Sequence, residues 1–183
     1  MIEYTIAKTD DDLIQILDLQ QTNLKINLSE KEIEKEGFVT VEHNFNQLKK
    51  LNDTEPHIIA KNNNKVIAYL LAMTKRAKLD VPVLVPMFNL FDELIFNDKL
   101  IAFYNYMVVG QVCIDKDFRK LGIVDNCYQA YKKHYANKYD FAVTEIASTN
   151  TRSINAHKRI GFEEIKKYQS GNVEWSIVVW DWK

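Results

Sequence analysis

The chain has 183 residues, 46% of them hydrophobic and 27% charged, which is enough for one domain with a well-buried core. Its 24 lysines and arginines face 25 acidic residues, and the formal net charge of -1 excludes a general electrostatic pull toward nucleic acid or an anionic membrane, so any anion must be held locally. No stretch approaches the roughly 18 apolar residues of a membrane helix, no basic region precedes an apolar run at the N-terminus, and Cys113 and Cys127 have neither metal nor disulfide spacing; a single cytoplasmic domain spanning residues 1–183, with core thiols and no metal, is expected.

Residues 2–7 alternate Ile2, Tyr4 and Ile6 with Glu3 and Thr5, the period of a strand. Thr9 followed by three aspartates is an N-cap with an acidic first turn, and Leu13, Ile16, Leu17, Gln20 and Leu24 mark one face of the helix it opens. Ser29 with Glu32 is a capping-box pattern for a short helix that Gly37 can stop, and Phe45, Leu48 and Leu51 suggest another. These helices read as packing elements or as walls of a substrate pocket. Residues 57–61 and 65–73 are apolar runs around Asn62-Asn63-Asn64, and asparagine tolerates the left-handed conformations of a hairpin turn. Residues 83–96 are richly apolar, with Pro86 suited to a first helical turn. They form either a buried helix or an apolar face toward substrate or partner; together with the Trp175, Trp180 and Trp182 strand they leave a homodimer open.

Residues 106–114 are nearly all apolar, as in a central strand buried on both faces. The strand ends at Val112-Cys113-Ile114 and meets a polar turn, Asp115 to Asp117, then Arg119 and Gly122. A helix follows, carrying Val124, Cys127, Tyr128, Tyr131 and Tyr135 at helical spacing to about Asn137. A helix start offers unpaired N–H groups and partial positive charge, and Gly122 lets backbone approach a ligand, so this turn suits a phosphate. Residues 140–147 read as the next strand, Ser148-Thr149-Asn150 cap a helix through Arg159, and Gly161 ends it. Residues 162–168 and 173–182 form a closing hairpin across Ser170-Gly171-Asn172. The order of elements describes an α/β (α+β) sandwich on a mixed sheet.

Arg119 and Gly122, taken with Asn150, Ser153, Gly161 and Phe162 about thirty residues downstream, resemble the signature of the GNAT superfamily of acyl-CoA-dependent N-acetyltransferases. The element order matches from the first strand to the last hairpin, so the likeness spans the chain. It is weakest near residues 25–55 and 75–100, where family members differ most. Val124 stands where the family usually has Gly or Ala, and His157 where many members place a tyrosine that acts as general acid toward the departing thiolate.

The resemblance implies a mixed, mostly antiparallel sheet of about seven strands, splayed between its fourth and fifth strands and flanked by helices. It implies acetyl-CoA as co-substrate, no metal, and a primary amine of a small molecule or protein as acceptor, attacking the thioester directly in a ternary complex. On a bulged strand, the backbone of Val112, Cys113 and Ile114 would bond the pantetheine arm and polarise the acyl carbonyl. Backbone N–H groups of Lys120, Leu121, Gly122, Ile123, Val124 and Asp125 would cradle the pyrophosphate, with charge from Arg119 and Lys120. Asn150 and Ser153 would contact the pantetheine arm or order the strand end, and Arg159 could reach the nucleotide phosphates. Glu145, five residues before Asn150, stands where some members place a catalytic glutamate and is the candidate base; its plain alternative is a solvent-facing strand residue. His157, seven residues after Asn150, could protonate the thiolate from an ordinary pKa near ~6.5, or could replace the tyrosine in hydrogen bonding or packing. His43, His57 and His134 have no metal spacing. The altered signature positions leave a second reading, a non-catalytic acyl-CoA-binding sensor or structural module, and a third, nucleotide-phosphate binding unrelated to CoA.

Overall fold

A computed structural model describes the backbone of residues 1–183 and the side chains of residues 1–33 and 37–183. The chain begins with β1 (Ile2–Ile6), α1 (Asp10–Gln21), α2 (Glu30–Glu36) and α3 (Phe45–Thr54). Next come β2 (Ile58–Asn62), β3 (Lys65–Met73), α4 (Ala77–Asp80), α5 (Val85–Glu93), β4 (Ile95–Phe96) and β5 (Lys99–Leu100). The second half runs β6 (Met107–Ile114), α6 (Ile123–Tyr135), β7 (Phe141–Ala147), α7 (Thr151–Ile160), β8 (Glu163–Ser170) and β9 (Val173–Asp181).

The local signals act as the sequence suggests. Reciprocal capping boxes open α1 at Thr9 and Asp12, α2 at Ser29 and Glu32, and α3 at Asn44 and Gln47, satisfying donors that the first turn leaves unpaired. Asn63 and Asn64 turn the β2–β3 hairpin at φ of 48° and 67°.

Seven strands form one sheet in the order β1-β2-β3-β6-β7-β9-β8, every pairing antiparallel except β6 with β7. Helices cover both faces. Val66, Tyr69, Leu71 and Met73 of β3 pack on the side of α1 with Leu13 and Ile16, whereas Ile67, Ala68, Leu70 and Ala72 pack on the side of α6 with Cys127, Tyr128 and Tyr131. That double cover explains why β3 is buried from Val66 to Met73 and reads as a continuous apolar run.

The apolar segment at residues 83–96 resolves into the helix α5, which buries Met87, Phe88 and Phe91, while Val83 and Ile95 on its flanks are exposed. The polar Asn97 and Asp98 that close this segment are the left-handed turn of a small ribbon, β4 with β5. Two residues per strand are too few to carry a periodic pattern, so this ribbon leaves no trace in the sequence reading.

Candidate active site

The one parallel seam is also the one that opens. β6 and β7 pair only at Met107 with Ala142 and Val108 with Val143. Opposite β3, Leu70 faces Val112 while Ala72 faces Val109, so β6 takes one residue more than its partner and bulges at Gly110 and Gln111. Past the last rung the strands diverge, and Thr144 Oγ1 donates across the gap to Val109 O at 2.8 Å. Two cavities of about 120 and 90 Å³ occupy the opening. The larger is bounded by Val112, Ile114, Val124 and Ala156, the smaller by Gln111, Thr144, Glu145 and Trp175. Val39, Asn150, Ser153 and His157 border both.

The turn from β6 to α6 is stitched by its own polar groups. Asp115 accepts from the Asp117 N–H at 3.1 Å and pairs with Lys65 at 2.8 Å. The Arg119 guanidinium donates to Ile114 O at 3.3 Å and to Asn23 Oδ1 at 2.6 Å, so this arginine braces the strand end against the end of α1. Lys120 and Gly122 both have positive φ, 65° and 72°. Gly122 is the N-cap of α6 and provides no side-chain cap; a Cβ added there would meet nothing within 4 Å. The turn therefore presents a helix start with open space in front of it, the local geometry that accepts an oxyanion. Lys120 and Leu121 are exposed on this turn, and Ile123 is buried beneath it. Asp125 sits in the first turn of α6 and holds Arg159 of α7 in a bidentate pair at 3.0 and 2.9 Å, which tethers α7 to α6 and draws the Asp125 carboxyl below the usual range.

Cys113 turns its side chain away from α6, with Sγ 3.8 Å from Leu19 O, and burial pushes its thiol up to about 12. Its backbone, between Val112 and Ile114, is what it offers to the opening.

Across the cleft, Asn150 is the N-cap of α7: its Oδ1 accepts from the Ser153 N–H at 3.2 Å and its Nδ2 donates to Phe38 O at 3.4 Å. His157 is buried, with both ring nitrogens engaged. Ser153 O is an acceptor only, so Nδ1 carries the proton at 2.8 Å, and Nε2 accepts from the Tyr128 hydroxyl at 2.5 Å. Burial lowers the His157 pKa to about 4. At neutral pH the ring is uncharged and hydrogen-bonded on both nitrogens.

Glu145 on β7 is half-buried rather than solvent-facing and lines the smaller cavity. Burial pushes its carboxyl up, while the Tyr168 hydroxyl of β8 donates to Oε2 and pulls it part of the way back. A carboxylate biased toward accepting a proton, at the mouth of the cleft, has the chemistry of a general base.

A buried polar network on the α1 side has no counterpart among the expected site residues. Gln111, in the bulge, accepts from Tyr69 Oη at 2.6 Å and from Gln20 Nε2 at 3.0 Å and donates to Val41 O at 2.8 Å. Gln20 also accepts from the His43 N–H at 2.8 Å. The network pins Val41 and His43 to β6 and α1. Gln111 in an apolar strand and Gln20 on the apolar face of α1 are its sequence signals. Among the described residues, no group of three or more His, Cys, Asp or Glu could hold a metal ion, and no helix is long and apolar enough to cross a membrane.

The chain matches the acetyltransferase (GNAT) family over residues 15–162. Its fold is similar to that of the GNAT-family acetyltransferase from Streptococcus agalactiae 2603, with a TM-score of 0.68 and 11% identity, covering 100% of this chain and 96% of that one. It is similar to a chain of the NatC complex bound to Gag peptide and CoA, with a TM-score of 0.66 and 14% identity, covering 100% of this chain and 99% of that one. It is also similar to the ribosomal-protein-S18-alanine N-acetyltransferase from Escherichia coli, with a TM-score of 0.63 and 12% identity over 99% of this chain and 94% of that one. At these identities the likeness is one of fold. No curated protein matches the chain.

Proposed function

The chain belongs to the acetyltransferase (GNAT) family, and from that premise we propose that it moves the acetyl group of acetyl-CoA to a primary amine by direct attack in a ternary complex. The observation that carries the reading is the opened β6–β7 seam, with an uncapped helix start on one side and a carboxylate raised by burial on the other.

In this proposal the N–H groups from Lys120 to Asp125 hold the pyrophosphate, and the space in front of Gly122 admits it. The strand end at Val112 to Ile114 lines the pantetheine channel, and the cofactor supplies an activated thioester. An amine reaches neutral pH as an ammonium and must shed protons to attack. One goes to Glu145. The C–N bond forms, the C–S bond breaks, and the second proton leaves with sulfur as the thiol. His157, neutral and tied to Tyr128 and Ser153, positions α7 rather than donating a proton.

Thiol release from acetyl-CoA, followed across a panel of spermidine, lysine ethyl ester, an alanine-initiated peptide and kanamycin, tests the reading. Release with at least one amine is expected. Binding of CoA with no release from any of them replaces it with the non-catalytic module.

A further inference from the structure

We propose that Tyr168 is a positioning residue for acyl transfer, holding Glu145 ionised and fixed at the mouth of the β6–β7 opening; the inference rests on the reading of Glu145 as base. The first observation is that β8 has two half-buried residues, Ile165 and Tyr168, and only Tyr168 carries a polar group inward. β8 is the edge of the sheet, and Glu163, Glu164, Lys166, Lys167, Gln169 and Ser170 are all exposed. Tyr168 is half-buried, and its hydroxyl reaches past β9 to a side chain two strands away.

Register makes the reach possible. Tyr168 faces Trp175, which faces Ala147, while Lys166 faces Ile177, which faces Glu145. Residues directly opposite share a face, and so do residues two apart along a strand, so Tyr168 and Glu145 lie on the same face, offset by one rung. Two strand spacings are roughly 10 Å, a distance that a tyrosine and a glutamate leaning toward each other can close. A phenylalanine would fill the same space over Trp175 and Ile177. The hydroxyl is what the packing does not require.

The chemistry of the pocket gives that hydroxyl a task. Burial favours the neutral acid, and a neutral acid cannot take a proton. Among the described residues, no lysine or arginine borders the smaller cavity. β9 contributes Trp175 to the cavity and sets Ile177 opposite Glu145, β6 contributes the Gln111 amide, and α7 contributes His157, which is uncharged. The Tyr168 O–H, in contrast, donates to the carboxylate and so favours its ionised form. Because the hydrogen bond also fixes one carboxylate oxygen, the register of the β8–β9 hairpin sets the orientation of the base.

Two measurements separate this role from packing. In protein labelled with [5-13C]glutamate, the carboxyl signal missing from Glu145→Gln identifies Glu145, and its titration midpoint should move upward in Tyr168→Phe. With whichever amine of the panel is turned over, the acidic limb of kcat/KM should move upward in the same variant, with the rate recovering at high pH. An unmoved carboxyl midpoint overturns the role of Tyr168 and leaves Glu145 as base intact. A Glu145→Gln variant that keeps both rate and acidic limb overturns the base reading instead, whatever the carboxyl signal does. A uniform loss of rate in Tyr168→Phe with no shift of the limb assigns Tyr168 to packing.

Discussion

Two strand-to-helix turns flank the open seam, and they end in opposite ways. β6 passes to α6 through Gly122, which is left-handed and provides no side-chain cap. β7 passes to α7 through Asn150, whose side chain occupies the Ser153 N–H and reaches back to Phe38. The topology is the same, yet one helix start is open and the other is closed by its own chain. A helix start binds an anion only where its N–H groups are left for one. In the proposed function the pyrophosphate therefore goes to α6, while Asn150, which the signature counts with the cofactor residues, caps α7.

The strongest test is to put a carboxylate in the open turn. Gly122→Glu should weaken CoA binding by about a hundredfold or more, since a charge a few ångströms from the diphosphate opposes it by several kcal/mol even at an effective dielectric of ~20. The backbone there is left-handed, which any side chain but asparagine or aspartate strains, so Gly122→Asn is the control and should keep most of the affinity. Calorimetric titration with CoA reads both. A folded Gly122→Glu that binds like the wild type would move the anion site elsewhere and erase the contrast. A comparable loss is expected in kcat for Glu145→Gln, about a hundredfold with CoA affinity unchanged, because removal of a general base acts on turnover rather than on the cofactor.

Most of the scaffold is legible in the sequence because its determinants are local. Thr9, Ser29 and Asn150 are caps readable within four residues, Asn63 and Asn64 supply a turn, and β3 and β6 are apolar runs of strand length. The cleft is only half legible. The Arg119 to Gly122 turn is contiguous, but whether a neighbouring side chain fills a helix start is a tertiary matter. His157 shows this: the sequence places it on the right helix, but burial in the folded chain decides its charge and Tyr128, 29 residues earlier on α6, takes its Nε2. Tyr168, Gln111 and Gln20 are further cases, since each acts through a partner that only the folded chain brings near.

Buried histidines give the fold a pH dependence, and one of them, His157, belongs to the closed side. His157 has a pKa of about 4, and two other buried histidines, His43 and His57, sit at about 4 and about 3, all depressed by burial. His57 donates from Nε2 to Leu48 O at 3.2 Å and accepts the Ala72 N–H on Nδ1 at 3.0 Å, again a neutral ring with both nitrogens used. Unfolded histidine titrates near ~6.5, so between about pH 6.5 and 4 the unfolded chain binds more protons than the folded one. Stability is complete above pH ~6.5 and falls as pH drops through this window, by up to about 1.4 kcal/mol per pH unit for each histidine. Urea denaturation at pH 7, 6 and 5 should show the decline, and His157→Gln should reduce its slope by about a third while lowering stability at pH 7. A slope that His157→Gln leaves untouched would mean that the closed side is not where acid acts.

The smallest effect is the one that isolates the cap. Asn150→Ala should cost about 1 kcal/mol, the usual loss for an N-cap, and lower Tm by about 2–4 °C in a chain of this size. Asn150→Asp keeps the acceptor for Ser153 but gives up the amide bond to Phe38 O, so it should recover most of that loss. Space is tight on that side as well: a Cβ on Gly37, itself at φ 74°, would lie 3.1 Å from Asn150 Oδ1, so the asparagine also sets how closely the segment leading to Val39 approaches α7. If Asn150 is only a cap, CoA affinity measured well below Tm is the same in the wild type and in Asn150→Asp. A tenfold loss of CoA affinity in that variant, with Tm preserved, would put the start of α7 in contact with the cofactor and make the two turns partners in binding rather than opposites.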